Sequence, residues 1–153
     1  MSLRRLPLLL LLGSMLLAGC ASGPKPPGIS AAVSANAAVN PDARNRPSPI
    51  VVRIYELKSP ATFESADFFS LFEKDRETLA ADLLARDEFV LRPGESKTIE
   101  REGKPETRYI AVLAGFREVE RSVWRATAPL VGGQKNIVKI TLDARAVSIT
   151  AGK

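Results

Sequence analysis

The sequence predicts a mainly β protein, a two-sheet β-sandwich of seven to eight short strands with a small helical insertion after the second strand. Three observations carry this reading. From Ile29 to Val39 apolar residues alternate with polar ones, the period of a strand with one buried face. From Asp87 onward, short β-rich runs recur at turn-sized intervals, the spacing of a sandwich. Between these regions Phe68, Phe72, Leu79 and Leu83, with Leu71 beside them, fall on one helical face.

The chain opens with a segment of another kind. Arg4 and Arg5 precede an apolar run from Leu6 to Leu17, and Leu17-Ala18-Gly19-Cys20 closes it. A basic start, a short apolar stretch and small residues before a cleavage point form a lipoprotein signal. The run is shorter than the roughly 20 apolar residues that span a bilayer as a helix. Cys20 is the only cysteine; its thiol is expected to take a diacylglyceryl group as a thioether, while cleavage before it frees an amine for a further acyl chain. Residues 1–19 are therefore expected to be removed, and two or three acyl chains on Cys20 make a practically permanent anchor. Ala21, rather than Asp, follows Cys20, which is compatible with export to the outer membrane. Residues 20–28 then read as the lipidated Cys and a Pro/Gly-rich tether reaching about 25 Å, so that the domain of residues 29–153 lies beside the membrane.

The remaining elements follow in order. Asn40-Pro41 ends the first strand, and the stretch to Pro49 holds three prolines, a loop of restricted flexibility. Ile50 to Leu57 is the second strand. The helical insertion covers about 65–86, with Ser65 as its cap and Asp67 in its first turn; Asp75 and Thr78 both allow a break, leaving one helix or two open. Glu88–Leu91 and Ser96–Arg101 read as a hairpin about Arg92-Pro93-Gly94-Glu95, where Pro and Gly suit a type II turn. Thr107–Phe116 has the strongest apolar content of the chain left after residues 1–19 and is expected near the centre of a sheet. Ser122–Pro129, Asn136–Asp143 and Ala146–Thr150 complete the strands, with Gly132-Gly133 as a hairpin turn between the first two. Trp124 is expected to face the core, with Arg121 and Arg125 outside.

Composition narrows the function. Of 153 residues, 134 remain after removal of 1–19, enough for one domain. The net charge falls from +5 to +3 with Arg4 and Arg5, too mild to argue for nucleic acid. The chain has no His, which excludes a Ser-His-Asp triad and a His-containing zinc site. Acylation of Cys20 would leave no thiol for a disulfide or a metal. Glu56, Glu64, Asp67, Asp82, Asp87 and Glu88 are nominally available for glycoside chemistry, yet none sits in a recognisable catalytic setting, and they read as solvated faces. No catalytic or metal-binding residue is expected.

Several words of the sequence resemble the outer-membrane lipoprotein family of the bacterial type VI secretion system. They are Ala66-Asp67-Phe68-Phe69-Ser70-Leu71, Asp82-Leu83-Leu84, Leu91-Arg92-Pro93-Gly94-Glu95, the run Tyr109 to Arg117, and Val123-Trp124-Arg125, together covering most of Ile29 to Asp143. The resemblance implies a transthyretin-like sandwich without catalysis and without a cofactor beyond the covalent lipid on Cys20. It also implies a position on the outer membrane facing the periplasm, and binding to the periplasmic C-terminal region of a large inner-membrane-anchored subunit. In that family the loop between the first two strands makes the contact. Here it comprises Asn40, Pro41, Asp42, Ala43, Arg44, Asn45, Arg46, Pro47, Ser48 and Pro49. Its prolines reduce the entropy lost on docking, and Arg44 and Arg46 suit acidic groups on a partner. An alternative kept open is a periplasmic lipoprotein that binds a small ligand or inhibits a periplasmic enzyme through the same sandwich; a carboxylate-dependent glycan enzyme ranks lowest.

Overall fold

The computed structural model describes residues 22–153; the signal segment and Cys20 lie outside the described residues. The elements are β1 (Gly28–Ala35), β2 (Ile50–Leu57), α1 (Ala61–Ser65), α2 (Phe68–Leu79), β3 (Leu83–Leu91), β4 (Ser96–Glu102), β5 (Tyr109–Ala114), β6 (Arg125–Pro129), β7 (Lys135–Leu142) and β8 (Val147–Gly152). They form two four-stranded sheets, β4-β1-β7-β8 and β3-β2-β5-β6. β1 runs antiparallel to β4 and parallel to β7.

Alternation places the main core between the sheets. Ile29, Ala31 and Val33 from β1 and Val138, Ile140 and Leu142 from β7 meet Val52 and Ile54 from β2 and Ile110 and Val112 from β5. Each large aliphatic side chain buried here contributes about 1.5–3 kcal/mol. A second core lies on the outer face of β3-β2-β5-β6, where Phe63, Phe68, Leu71 and Leu79 cover Tyr55, Leu57, Ala111 and Leu113. β2 and β5 are thus buried on both faces, while β7 keeps strict alternation. Trp124 is half-buried and belongs to both cores, its ring edge-on to Phe68 at 5.2 Å.

Four sequence expectations need correction. β1 ends at Ala35 rather than Val39, because the Asn36 side chain accepts the Ala38 N–H at 2.9 Å and its carbonyl accepts Val39 N–H at 3.0 Å, a local turn that competes with the ladder. The Pro93-Gly94 turn forms, with Glu95 N–H donating to the Arg92 carbonyl at 3.0 Å and Gly94 at φ +79, but it is no hairpin: β3 pairs with β2 and β4 with β1. Gly132-Gly133 likewise carries the chain from one sheet to the other. Turn chemistry decides where the chain reverses; the available strand edge decides what it pairs with.

The helical insertion is also shorter than 65–86. α1 precedes it, and Asp67, not Ser65, caps α2 by accepting the Ser70 N–H at 2.9 Å. Ala80, at φ 45, ends the helix, and residues 83–86 belong to β3, pairing with Leu57 through Tyr55. Leu83 keeps the helical period but is claimed by a ladder instead.

The tether is not free along its length. Pro26 carbonyl accepts Gly133 N–H at 2.9 Å, Pro27 carbonyl accepts Gly103 N–H at 2.8 Å, and Pro27 is buried. From this end β1 carries the chain about 25 Å, at roughly 3.3 Å per residue, to the opposite end. Residues 36–49, 92–95, 115–124 and 143–146 gather there.

Candidate partner-docking surface

The loop between β1 and β2 is built on two polar side chains. Asn40, only 3% exposed and at φ +50, donates from Nδ2 to the Pro49 carbonyl and accepts the Arg117 N–H at Oδ1, both at 2.8 Å. Its own N–H donates to the Ala144 carbonyl at 3.0 Å, so one residue joins three loops. Asn tolerates the left-handed region better than most residues, which suits it to this position.

Asp42 organises the tip. Its Oδ1 accepts the N–H groups of Arg44 and Arg46 at 2.8 and 3.0 Å, and its Oδ2 accepts the Arg46 guanidinium at 2.8 Å from Nε and 2.7 Å from Nη2. The Arg46 backbone N–H first, and then its guanidinium, hold the Asp42 carboxyl down at about 2. Asp42 N–H and Asn45 N–H close the ring onto the Arg46 and Asp42 carbonyls, each at 2.9 Å, with Asn45 at φ 58.

This separates the ten loop residues. Asn40 and Pro41 are buried and brace the loop; Ala43, Arg44, Asn45, Arg46, Pro47 and Pro49 are exposed, with Asp42 and Ser48 between. Arg46 already holds a carboxylate, whereas Arg44 has no ion-pair partner among the described residues. Neither brace was visible as spacing: Asn40 reads as a strand terminator, and Asp42 as one more turn residue. An Asp two and four residues before arginines was the only local signal of the closed tip.

The carboxylates considered for glycoside chemistry hold the fold, and they are not simply solvated faces. Glu56, 1% exposed, accepts from Arg101 Nε at 2.9 Å, Lys104 N–H at 2.9 Å and Thr107 Oγ1 at 2.7 Å. Arg101 also binds Asp87. Glu64 accepts Thr127 Oγ1 at 2.6 Å, Asp67 caps α2, and Asp82 accepts Thr62 Oγ1 at 3.3 Å. Under α2, buried Arg53 is bound to Glu88 and donates to the Phe72 carbonyl at 2.7 Å, its guanidinium 4.5 Å from the Phe72 ring centre. Arg86 bridges Asp75 at 3.1 Å and Glu88 at 2.7 Å, and Tyr55 OH donates to Asp75 at 3.1 Å.

The charge states follow from these contacts. Burial disfavours charge on Arg53, but its ion pair with Glu88 outweighs this and its pKa is raised. The Arg53 guanidinium holds the Glu88 carboxyl below its ordinary range, and burial pushes the Tyr55 phenol up to about 12. Among the described residues, no group of three or more His, Cys, Asp or Glu is arranged to hold a metal ion.

Buried charges that close structural networks, and a braced loop cluster at one end, define a β-sandwich with a fixed loop surface. Residues 28–145 match the family model described as type VI secretion lipoprotein, VasD, EvfM, TssJ, and the chain belongs to this family. It is a family of secretion-system lipoproteins, not a family of enzymes. The chain is similar to the lipoprotein TssJ1 from Pseudomonas aeruginosa, with 36% identity and a TM-score of 0.80 over 84% of this chain and 98% of that one. It is also similar to Serratia marcescens Lip, a membrane-bound component of the type VI secretion system, at 28% identity and a TM-score of 0.74, covering 80% and 96%. A chain in the structure of the TssM C-terminal domain from EAEC matches at 25% identity and a TM-score of 0.67, covering 80% and 97%. The chain matches no curated protein.

Proposed function

We propose that this chain is an outer-membrane-anchored lipoprotein that faces the periplasm and binds the periplasmic C-terminal region of an inner-membrane-anchored subunit, so building the type VI secretion membrane complex. The observation that carries the proposal is the placement of the docked tether and the braced 42–46 tip at opposite ends of the sandwich. An anchor on Cys20 reaches the bilayer through the five residues before Lys25, about 17 Å at full extension, and leaves the loop cluster pointing away from it. The similarity to a chain in the TssM C-terminal domain structure supports the choice of partner. The role needs a fixed surface and a tether, and no bond is made or broken by this protein once the lipid is attached.

The test has two arms. Cys20→Ser is expected to abolish acyl labelling and release the protein from membranes; a variant that still fractionates with the outer membrane rejects the anchor. The soluble domain from Ala21 is expected to bind the partner's periplasmic domain in a calorimetric titration, and an absence of binding rejects the partner.

A further inference from the structure

The fold leaves Phe69 largely uncovered. It is 63% exposed, although Phe68 beside it is buried and stacks on Phe72 with ring centres 5.1 Å apart. The Phe69 ring meets Phe68 edge-on at 5.5 Å, and Asp67 grips Ser70 through both N–H and hydroxyl at 2.9 and 2.6 Å. This exposed aromatic is therefore held on a rigid first turn, and the ordering cost of binding through it is already met.

Beside Phe69 opens a groove of about 440 Å³, lined by Arg117, Glu118, Val119, Glu120 and Arg121. The groove is continuous with the β1–β2 loop, since Arg117 N–H is the group that Asn40 Oδ1 holds. Arg145 and Arg121 both reach Glu118, at 3.3 and 4.0 Å, which leaves Arg117 and Glu120 as the exposed charges of the rim without an ion-pair partner among the described residues. The ends of the described residues lie far away: the tether docks on Gly103 and Gly133, and β8 finishes against Ile137, all at the opposite end of the sandwich.

We infer that Phe69 and this groove are the second half of one docking surface, occupied by an apolar side chain of the same partner domain that engages the β1–β2 loop. The inference rests on the docking function proposed above. An exposed, preorganised aromatic beside a partly apolar groove has the character of a binding hot spot.

Calorimetric titration of the soluble domain with the partner's periplasmic domain tests it, using Phe69→Ala, Phe69→Glu and Arg44→Glu. Phe69→Ala is expected to weaken binding about tenfold and Phe69→Glu further, with thermal midpoints matching the wild-type chain. Arg44→Glu weakened with both Phe69 variants unchanged overturns the inference and leaves the loop as the whole interface. Loss of self-association in Phe69→Ala at unchanged partner affinity assigns the groove to a second copy and also overturns it. No binding by the wild-type domain rejects the proposed function and this inference together.

Discussion

The Asn40 side chain holds the Arg117 backbone: Oδ1 of the first accepts the N–H of the second at 2.8 Å, across 77 positions of sequence. This bond couples the β1–β2 loop to the loop between β5 and β6, so the two present one surface rather than two independent loops.

Replacing Asn40 tests the coupling. Asn40→Ala leaves the Pro49 carbonyl and the Arg117 N–H unmet and puts a β-carbon without a polar group at positive φ, so a loss of about 2–4 kcal/mol is expected in denaturant melts. Asn40→Gly relieves the backbone strain but restores neither bond, and should remain destabilised. A glycine variant as stable as the wild type would show that the bonds contribute nothing.

The loop tip should respond to Asp42 without the sandwich noticing. Asp42→Asn removes the carboxylate that Arg46 pairs with, and faster hydrogen exchange at the Arg44 and Arg46 amides is expected at an unchanged melting temperature. The folded-state pKa, about 2, lies below the ordinary carboxylate value. The brace is therefore complete above roughly pH 4 and is lost as pH falls through 2. Protection that disappears already at pH 5 would contradict this.

Arg53 carries a larger penalty. The backbone of α2 breaks at Lys74, with φ −137 and ψ 40, and the carbonyls before the break are met by side chains: Ser70 by Thr78 Oγ1 at 3.0 Å and Phe72 by Arg53 at 2.7 Å. Arg53→Met leaves the Phe72 carbonyl unmet and leaves Asp75 and Glu88 to share Arg86 alone, and a loss of about 3–5 kcal/mol is expected by chemical denaturation. Arg53→Lys should recover only part of it, since an ammonium lacks the planar fork that serves Glu88 and the Phe72 carbonyl together.

Alkaline unfolding should trace Tyr55. Its folded-state pKa is about 12 against an ordinary value near 10, so the folded chain retains a proton that the unfolded chain releases. The stabilisation is complete below pH 10 and is lost as pH rises through 12. Tyr55→Phe has no phenol to ionise and is expected to flatten the pH dependence of the melting temperature between pH 10 and 12. A variant with an unchanged slope would place the alkaline transition elsewhere.

Much of this molecule is legible in one dimension because its cues are local. Alternation at Ile29, Ala31 and Val33 specifies a half-buried strand, Pro93-Gly94 specifies a reversal, and Phe68, Leu71 and Leu79 specify a helix with one apolar face. The β1–β2 loop is equally visible as a proline-rich interruption. Long-range competition was beyond such cues. Strand pairing depends on which edges meet, so both expected hairpins became crossings between sheets. Glu56 and Glu88 look like surface acids until Arg101 and Arg53 arrive from distant elements. Asn40 became a brace, and Phe69 an exposed knob beside the loop, only when folding brought residues 115–121 against them. Periodicity and turn propensity act over a few residues, whereas partners for buried charge and neighbours for an exposed ring are set by the packed whole.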